Sequence, residues 1–120
     1  IHVDIPTPWQ ACRISPAEAV PVAMVVNELL LNAVKHGGQE HQDVQVTLRK
    51  GAQADHVHIT IANPGQWPES RLSSKGGQGL VSALMPRNGA TVTRTQVSDR
   101  AVLRLEFSPP VIHLESAPAP

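Results

Sequence analysis

Apolar residues alternate with polar ones where the chain opens, Ile1, Val3 and Ile5 against His2 and Asp4, and that period predicts a short strand. A proline-containing loop follows through Trp9 and Arg13. Ser15-Pro16-Ala17-Glu18 then has the form of a capping box with proline at the first helical position. Pro21 removes one backbone hydrogen bond, so either a short turn precedes a main helix from Pro21 or a single helix kinks there. The helix runs to His36, and Gly37-Gly38 supplies its stop. Two strands come next: Val44, Val46 and Leu48 alternate with Gln45, Thr47 and Arg49, and Val57, Ile59 and Ile61 alternate with His58, Thr60 and Ala62. Lys50 to Asp55, with Gly51, suits a hairpin between them. Residues 63–77 have loop composition, and a short helix from Gln78 to Met85 is stopped by Pro86. Asn88-Gly89 turns the chain into strands at about 90–97 and 101–107, joined at Ser98-Asp99-Arg100.

The predicted order is β–α–β–β–loop–α–β–β. It implies an α/β (α+β) two-layer sandwich, a mixed, mostly antiparallel sheet covered on one face by helices. At 120 residues this is one domain with a real core, here 1–108. Residues 109–120, rich in Pro, Ala and Ser, read as a frayed tail or linker. Aromatic residues are only 2% of the chain against 41% hydrophobic, so the core must be aliphatic. Ten basic and ten acidic residues cancel, which argues against a nucleic-acid or membrane surface. Cys12 is the single cysteine, so a disulfide framework is excluded and a reducing cytoplasm fits. No apolar run approaches a membrane span and no signal peptide opens the chain. The start inside a strand-like segment reads as a piece cut from a longer protein.

One feature of the long helix is chemical rather than structural. Asn27-Glu28-Leu29-Leu30-Leu31-Asn32-Ala33-Val34-Lys35-His36 sets polar groups among aliphatic ones. At about 100° per residue, Glu28, Asn32 and Lys35 fall within roughly 60° of one another, with His36 at the edge of the stripe. A solvated face with an i,i+4 hydrogen bond accounts for such a stripe on its own. Beside Val25, Val26, Leu29, Leu30 and Val34, though, it would be costly to bury unpaired, and a metal-bound phosphate would satisfy all three groups.

The segment resembles the N box of the GHKL (Bergerat-fold) ATPase superfamily, which contains histidine kinases, anti-sigma-factor serine kinases and gyrase-type ATPases. The resemblance implies that Glu28 is the catalytic acid assisting the attacking group and that Asn32 ligates Mg²⁺. It puts Lys35 and His36 toward the phosphates of ATP. The predicted element order is also that of the Bergerat fold.

Two further stretches resemble the family's glycine boxes. Strand residues 59–62 lead into Asn63-Pro64-Gly65-Gln66-Trp67-Pro68, where the family carries Asp-x-Gly-x-Gly. Gly65 matches, Asn63 replaces the aspartate that accepts from the adenine amino group, and Trp67 replaces the second glycine. An amide oxygen still accepts that bond, more weakly without charge. Lys75-Gly76-Gly77-Gln78-Gly79-Leu80 opens a helix, where backbone N–H groups favour phosphate. It resembles the second box at Gly77, Gly79 and Leu80, with Val81 where a glycine is frequent; Gln78 and Lys75 flank the site. By the same resemblance the loop between Gly65 and Gly76 is expected to be a short ATP lid, with Arg71, Ser73, Ser74 and Lys75 placed to contact the phosphate tail.

Other chemistries fit poorly. Neither His36, Glu40, His41 and Asp43 nor His56 and His58 has a zinc spacing. A Gly-x-Ser-x-Gly elbow is missing too, which removes the usual hydrolase. The resemblance, over about residues 1–108, implies the catalytic ATP-binding domain of a bacterial two-component sensor histidine kinase. Such a domain binds Mg·ATP and passes the γ-phosphoryl group to a histidine on a separate dimerisation domain, with a response regulator downstream. The resemblance implies a cytoplasmic location, either free or as the cytoplasmic part of a membrane-bound sensor, with no membrane contact by the domain itself. That phosphoacceptor histidine is absent from this sequence, so nucleotide binding with little or no turnover is expected of the chain alone. The alternatives are an anti-sigma-type serine kinase and a degenerate domain that works as a protein-binding module.

Overall fold

The structure, a computed structural model, describes residues 1–9, 11–36, 44–68 and 80–115. In chain order the elements are β1 (His2–Asp4), β2 (Cys12–Ile14), α1 (Pro16–His36), β3 (Gln45–Lys50), β4 (Val57–Pro64), α2 (Leu80–Leu84), β5 (Ala90–Val97), β6 (Arg100–Phe107) and β7 (Ile112–Leu114). Five strands form a mixed sheet in the order β1-β3-β4-β6-β5. Only β1 runs parallel to its neighbour β3; the β3–β4, β4–β6 and β5–β6 pairs are antiparallel. This is the mixed, mostly antiparallel sheet that the alternation predicts.

Strand register explains which face is buried. Leu48, Ile59, Leu105 and Val92 lie across from one another in one row, and Val46, Ile61, Leu103 and Arg94 in the next. From α1, Val22, Val25, Leu29 and Ala33 pack onto this face, and Val81 of α2 joins the same cluster. Leu105 and Val44 are wholly buried, at 0% exposure. The opposite face carries polar rows such as Arg49, His58, Glu106 and Thr91. With one apolar face per sheet, a single helical layer is enough to cover it.

The helix is continuous through Pro21. That residue falls early in the helix, so its ring forfeits one bond, to the carbonyl of Ala17, and leaves the later turns intact. Pro16–Lys35 is by length and composition long and apolar enough to cross a membrane, which corrects the reading that no segment approaches a span. The buried stripe of Val22, Val25, Leu29 and Ala33 gives its apolar residues a different task, covering the sheet. In α2, Met85 N–H still donates to the Val81 carbonyl at 2.9 Å, so the predicted end near Met85 holds. The expected helix start at Gln78 and Gly79, and the Gly37-Gly38 stop of α1, lie outside the described residues.

Two segments depart from expectation. The loop through Trp9 and Arg13 contains β2, and the tail beyond Ser108 contains β7, which pairs with it antiparallel. Val111 and Ile112 are buried, at 1% and 4% exposure. Ser15 N–H donates to the Val111 carbonyl at 2.8 Å, Glu115 N–H to Ala11 at 2.8 Å, and Leu114 N–H to Asp55 Oδ1 at 3.1 Å. The chain is therefore packed and paired through 115 and does not fray from 109. Three-residue strands are too short to show a period, and the prolines mask an apolar pair. Gly89 is part of this junction: at φ +86°, a Cβ there would stand 2.6 Å from the Ser108 carbonyl oxygen. Only glycine fits both the backbone angle and that approach.

Candidate functional site

Between α1 and the β4–β6–β5 end of the sheet lies a cavity of about 380 Å³. Leu29, Asn32 and Ala33 line it from the helix, and Ile61, Asn63, Ala101, Leu103 and Arg94 from the strands. The loop Pro64–Pro68 forms the remaining wall. Its size is that of a small-molecule site with a few convergent polar groups.

Helix geometry sorts the polar stripe. Val22, Val25, Leu29 and Ala33 fix the inward direction of α1. At about 100° per residue, Asn32 lies about 65° from that direction, Glu28 about 105° and Lys35 about 125°. Asn32 accordingly reaches the cavity, Glu28 is half-buried outside its lining, and Lys35 is exposed. The stripe is thus graded from cavity to solvent, and Lys35 escapes the burial cost that the sequence alone suggested. His36 ends the helix.

On the sheet side Asn63 is 7% exposed and lies next to last in β4. Its Nδ2 donates to the Pro64 carbonyl at 3.1 Å, and Oδ1 accepts from no group among the described residues. The amide is thereby held with its acceptor available. Gly65 adopts φ +128°, and a Cβ built there would meet no heavy atom within 4 Å. Free space against bare backbone is what a flat ring needs for close approach. Gly65 N–H is anchored to the Asp99 carbonyl at 2.8 Å.

Residues that sequence reasoning passed over hold this loop. Gln96 accepts from Trp67 N–H at 3.0 Å and donates to the Gly65 carbonyl at 2.9 Å, bridging the loop as a neighbouring strand would. Trp67 Nε1 donates to the Thr95 and Val102 carbonyls at 3.1 and 3.2 Å. Arg94, 8% exposed, has its guanidinium carbon 5.5 Å from the centre of the Trp67 ring. A signal for both was present: in the alternation of β5, Arg94 and Gln96 occupy the same phase as Val92. Polar residues in the apolar phase of a strand mark either a partner or a site. Lys75, Gly77, Gln78 and Gly79, with the expected lid residues Arg71, Ser73 and Ser74, lie outside the described residues, and Leu80 opens α2.

Comparison with known proteins decides the family. Residues 7–101 match the model of the histidine kinase-like ATPase domain. The chain belongs to this family. Among solved structures it is similar to the catalytic domain of histidine kinase ThkA in a nucleotide-free form, with TM-score 0.62 and 12% identity over 88% of this chain and 76% of that one. It is also similar to the Acinetobacter baumannii histidine kinase AdeS, with TM-score 0.56 and 15% identity over 91% of this chain. Against AdeS it spans only 53% of the other chain, about half its length. At such identities the likeness is one of fold. A search of curated proteins found no match.

For this family member the polar outer face carries its own electrostatics. His58 is held below its ordinary value of 6.5, first by burial, then by Arg104, with Glu106 opposing and Arg49 adding to the depression. Its Nδ1 is buried and has no partner among the described residues, so a proton there would find no acceptor among them. Unfolded His58 takes up its proton as pH falls through 6.5, while the folded ring resists until lower pH. The unfolded chain then binds more protons, so stability drops as pH falls through that window. The ring is half-buried, and solvent screening through its exposed part keeps the effect small. Urea midpoints measured at about pH 7.5 and about pH 5.5 should differ more in wild type than in His58→Gln. Equal pH dependence in the two proteins would rule this role out.

Proposed function

We propose that this domain binds Mg·ATP in the cavity between α1 and the sheet and delivers the γ-phosphoryl group to a histidine on a separate dimerisation domain. It would do so as the cytoplasmic catalytic domain of a two-component sensor kinase with a response regulator downstream. One observation carries the reading. Asn32 from the helix and Asn63 with Gly65 from the strand end line one cavity, although 31 positions separate Asn32 from Asn63. In this reading Asn63 Oδ1 accepts from the adenine amino group, and Gly65 lets the ring approach.

The donor set suits the metal. Mg²⁺ prefers oxygen ligands and usually takes one or two from protein and the rest from phosphate and water. The amide oxygen of Asn32, half-buried at the cavity wall, would hold it. When bound, the ion neutralises phosphate charge. Glu28 is one turn earlier on α1, at the margin of the cavity, and would hydrogen-bond the incoming imidazole. Lys35, exposed a turn beyond Asn32, together with His36, would offset charge at the phosphate tail; Lys75, Gly77, Gln78, Gly79 and Leu80 would cradle it. Phosphoryl transfer relies on positioning and charge stabilisation, so this division of labour is sufficient chemistry for the domain.

Calorimetry tests the reading directly. The domain alone should bind ATP and ADP with modest affinity and bind more tightly with Mg²⁺ than without. Absence of heat at millimolar nucleotide would favour the alternative, a domain that acts through protein contacts. If phosphate instead reached a serine of a partner protein without any dimerisation domain, the serine-kinase alternative would hold.

A further inference from the structure

The nucleotide reading leaves the most unusual part of the cavity without a task. Trp67 stands where the resembled glycine box is bare, and Arg94 is a nearly buried cation on the core face of a strand. Both have contacts of their own that hold them in place, and both also line the cavity. An aliphatic residue at position 94 would continue the row of Val46, Ile61 and Leu103 without desolvating a guanidinium. We propose that Trp67 and Arg94 form the base-selecting wall of the cavity: the indole stacks on the purine ring and the guanidinium donates to its ring nitrogens. This rests on the nucleotide reading above and adds to it the residues that choose the base.

Three features support the assignment. The first is rigidity. Trp67 is tied through its backbone N–H to Gln96 and through Nε1 to the Thr95 and Val102 carbonyls. An aromatic ring fixed before binding loses little freedom when a base stacks on it. The second is position. Trp67 follows Gly65 by two residues and shares the cavity with Asn63, so the wall belongs to the end where the base would lie. The third is donor pattern. Arg94 offers only donors and Asn63, with Nδ2 committed to Pro64, offers an acceptor. Adenine answers both, with an amino donor and ring-nitrogen acceptors. Guanine would set its 6-oxo group against Asn63 Oδ1, acceptor against acceptor. The Arg94–Trp67 contact also keeps the guanidinium plane near the ring it shares the task with.

The test uses the Trp9→Phe background, in which Trp67 is the remaining tryptophan. Mg·ATP, Mg·GTP and Mg·tripolyphosphate are titrated, with affinity read by calorimetry and the indole by fluorescence. ATP should change Trp67 emission and tripolyphosphate should leave it unchanged. Trp67→Phe should keep the ATP affinity within about threefold and Trp67→Ala should weaken it about tenfold, as for loss of one stacking partner. Arg94→Met should weaken ATP by a similar factor and narrow the preference for ATP over GTP. Circular dichroism establishes that each variant is folded. If ATP binds the parent by calorimetry while emission and the Trp67→Ala and Arg94→Met affinities stay flat, the wall is refuted and the nucleotide reading stands. If ATP does not bind the parent at all, both fall together.

Discussion

On the proposed reading, a kinase that joins this domain to a phosphoacceptor-histidine domain should lose most autophosphorylation on Glu28→Gln while keeping nucleotide affinity within about threefold. Asn32→Ala should lose both. The difference follows from where the two side chains lie on one helix. Asn32 lines the cavity and would ligate an ion that offsets phosphate charge, so its removal weakens ground-state binding as well as transfer. Glu28 is half-buried outside that lining and would meet the attacking group, which is engaged only as the reaction proceeds. An interaction made in the transition state alone is worth roughly a hundredfold or more in rate when it is general-base assistance. Paired measurements separate the roles: nucleotide titration on the domain, and radiolabel incorporation on that kinase. A Glu28→Gln variant that autophosphorylates at the wild-type rate would show that another group assists the acceptor.

The second large effect concerns stability and comes from the end of the chain. Ile112→Ala should destabilise the domain by about 3 kcal/mol, the usual range for truncating a buried isoleucine. Ile112 is 4% exposed and belongs to the main core cluster, next to Val111 at 1%. Its strand also carries the bonds from Ser15 to Val111 and from Leu114 to Asp55 that tie the helix start and the β3–β4 turn together. Glu115→Ala is the control. That residue and its ion partner Arg13, 3.4 Å apart, are both exposed, so its loss should cost no more than about 0.5 kcal/mol. The measurement is the urea midpoint of each variant at a common slope. If Ile112→Ala matched the Glu115→Ala control, residues beyond Ser108 would behave as a tail after all.

Local pattern was enough to specify the central architecture. Strict alternation in residues 44–49, 57–62 and 101–107 marked three strands with one apolar face each, and register then followed from that face. The capping pattern at Ser15 and the helical spacing after it marked α1, and Pro21, early in the helix, forfeits a bond without ending it. The acid-amide pair Glu28 and Asn32 was legible because helix geometry alone sets the angle between them. What the sequence could not resolve depends on distances between segments far apart in the chain. β2 and β7 are three residues each and exist as a sheet only because tertiary packing brings residues 12–14 beside 112–114. The depth of each residue in the polar stripe was also undecided, since it depends on which way α1 rolls on the sheet; that roll turns Asn32 inward and leaves Lys35 in solvent. Likewise the phase that Arg94 and Gln96 share with Val92 marks them as inward positions but does not say what they meet. Folding carries Gln96 to the loop after Asn63 and Arg94 to the Trp67 ring, because β6 lies between β4 and β5 and joins their ends into one wall.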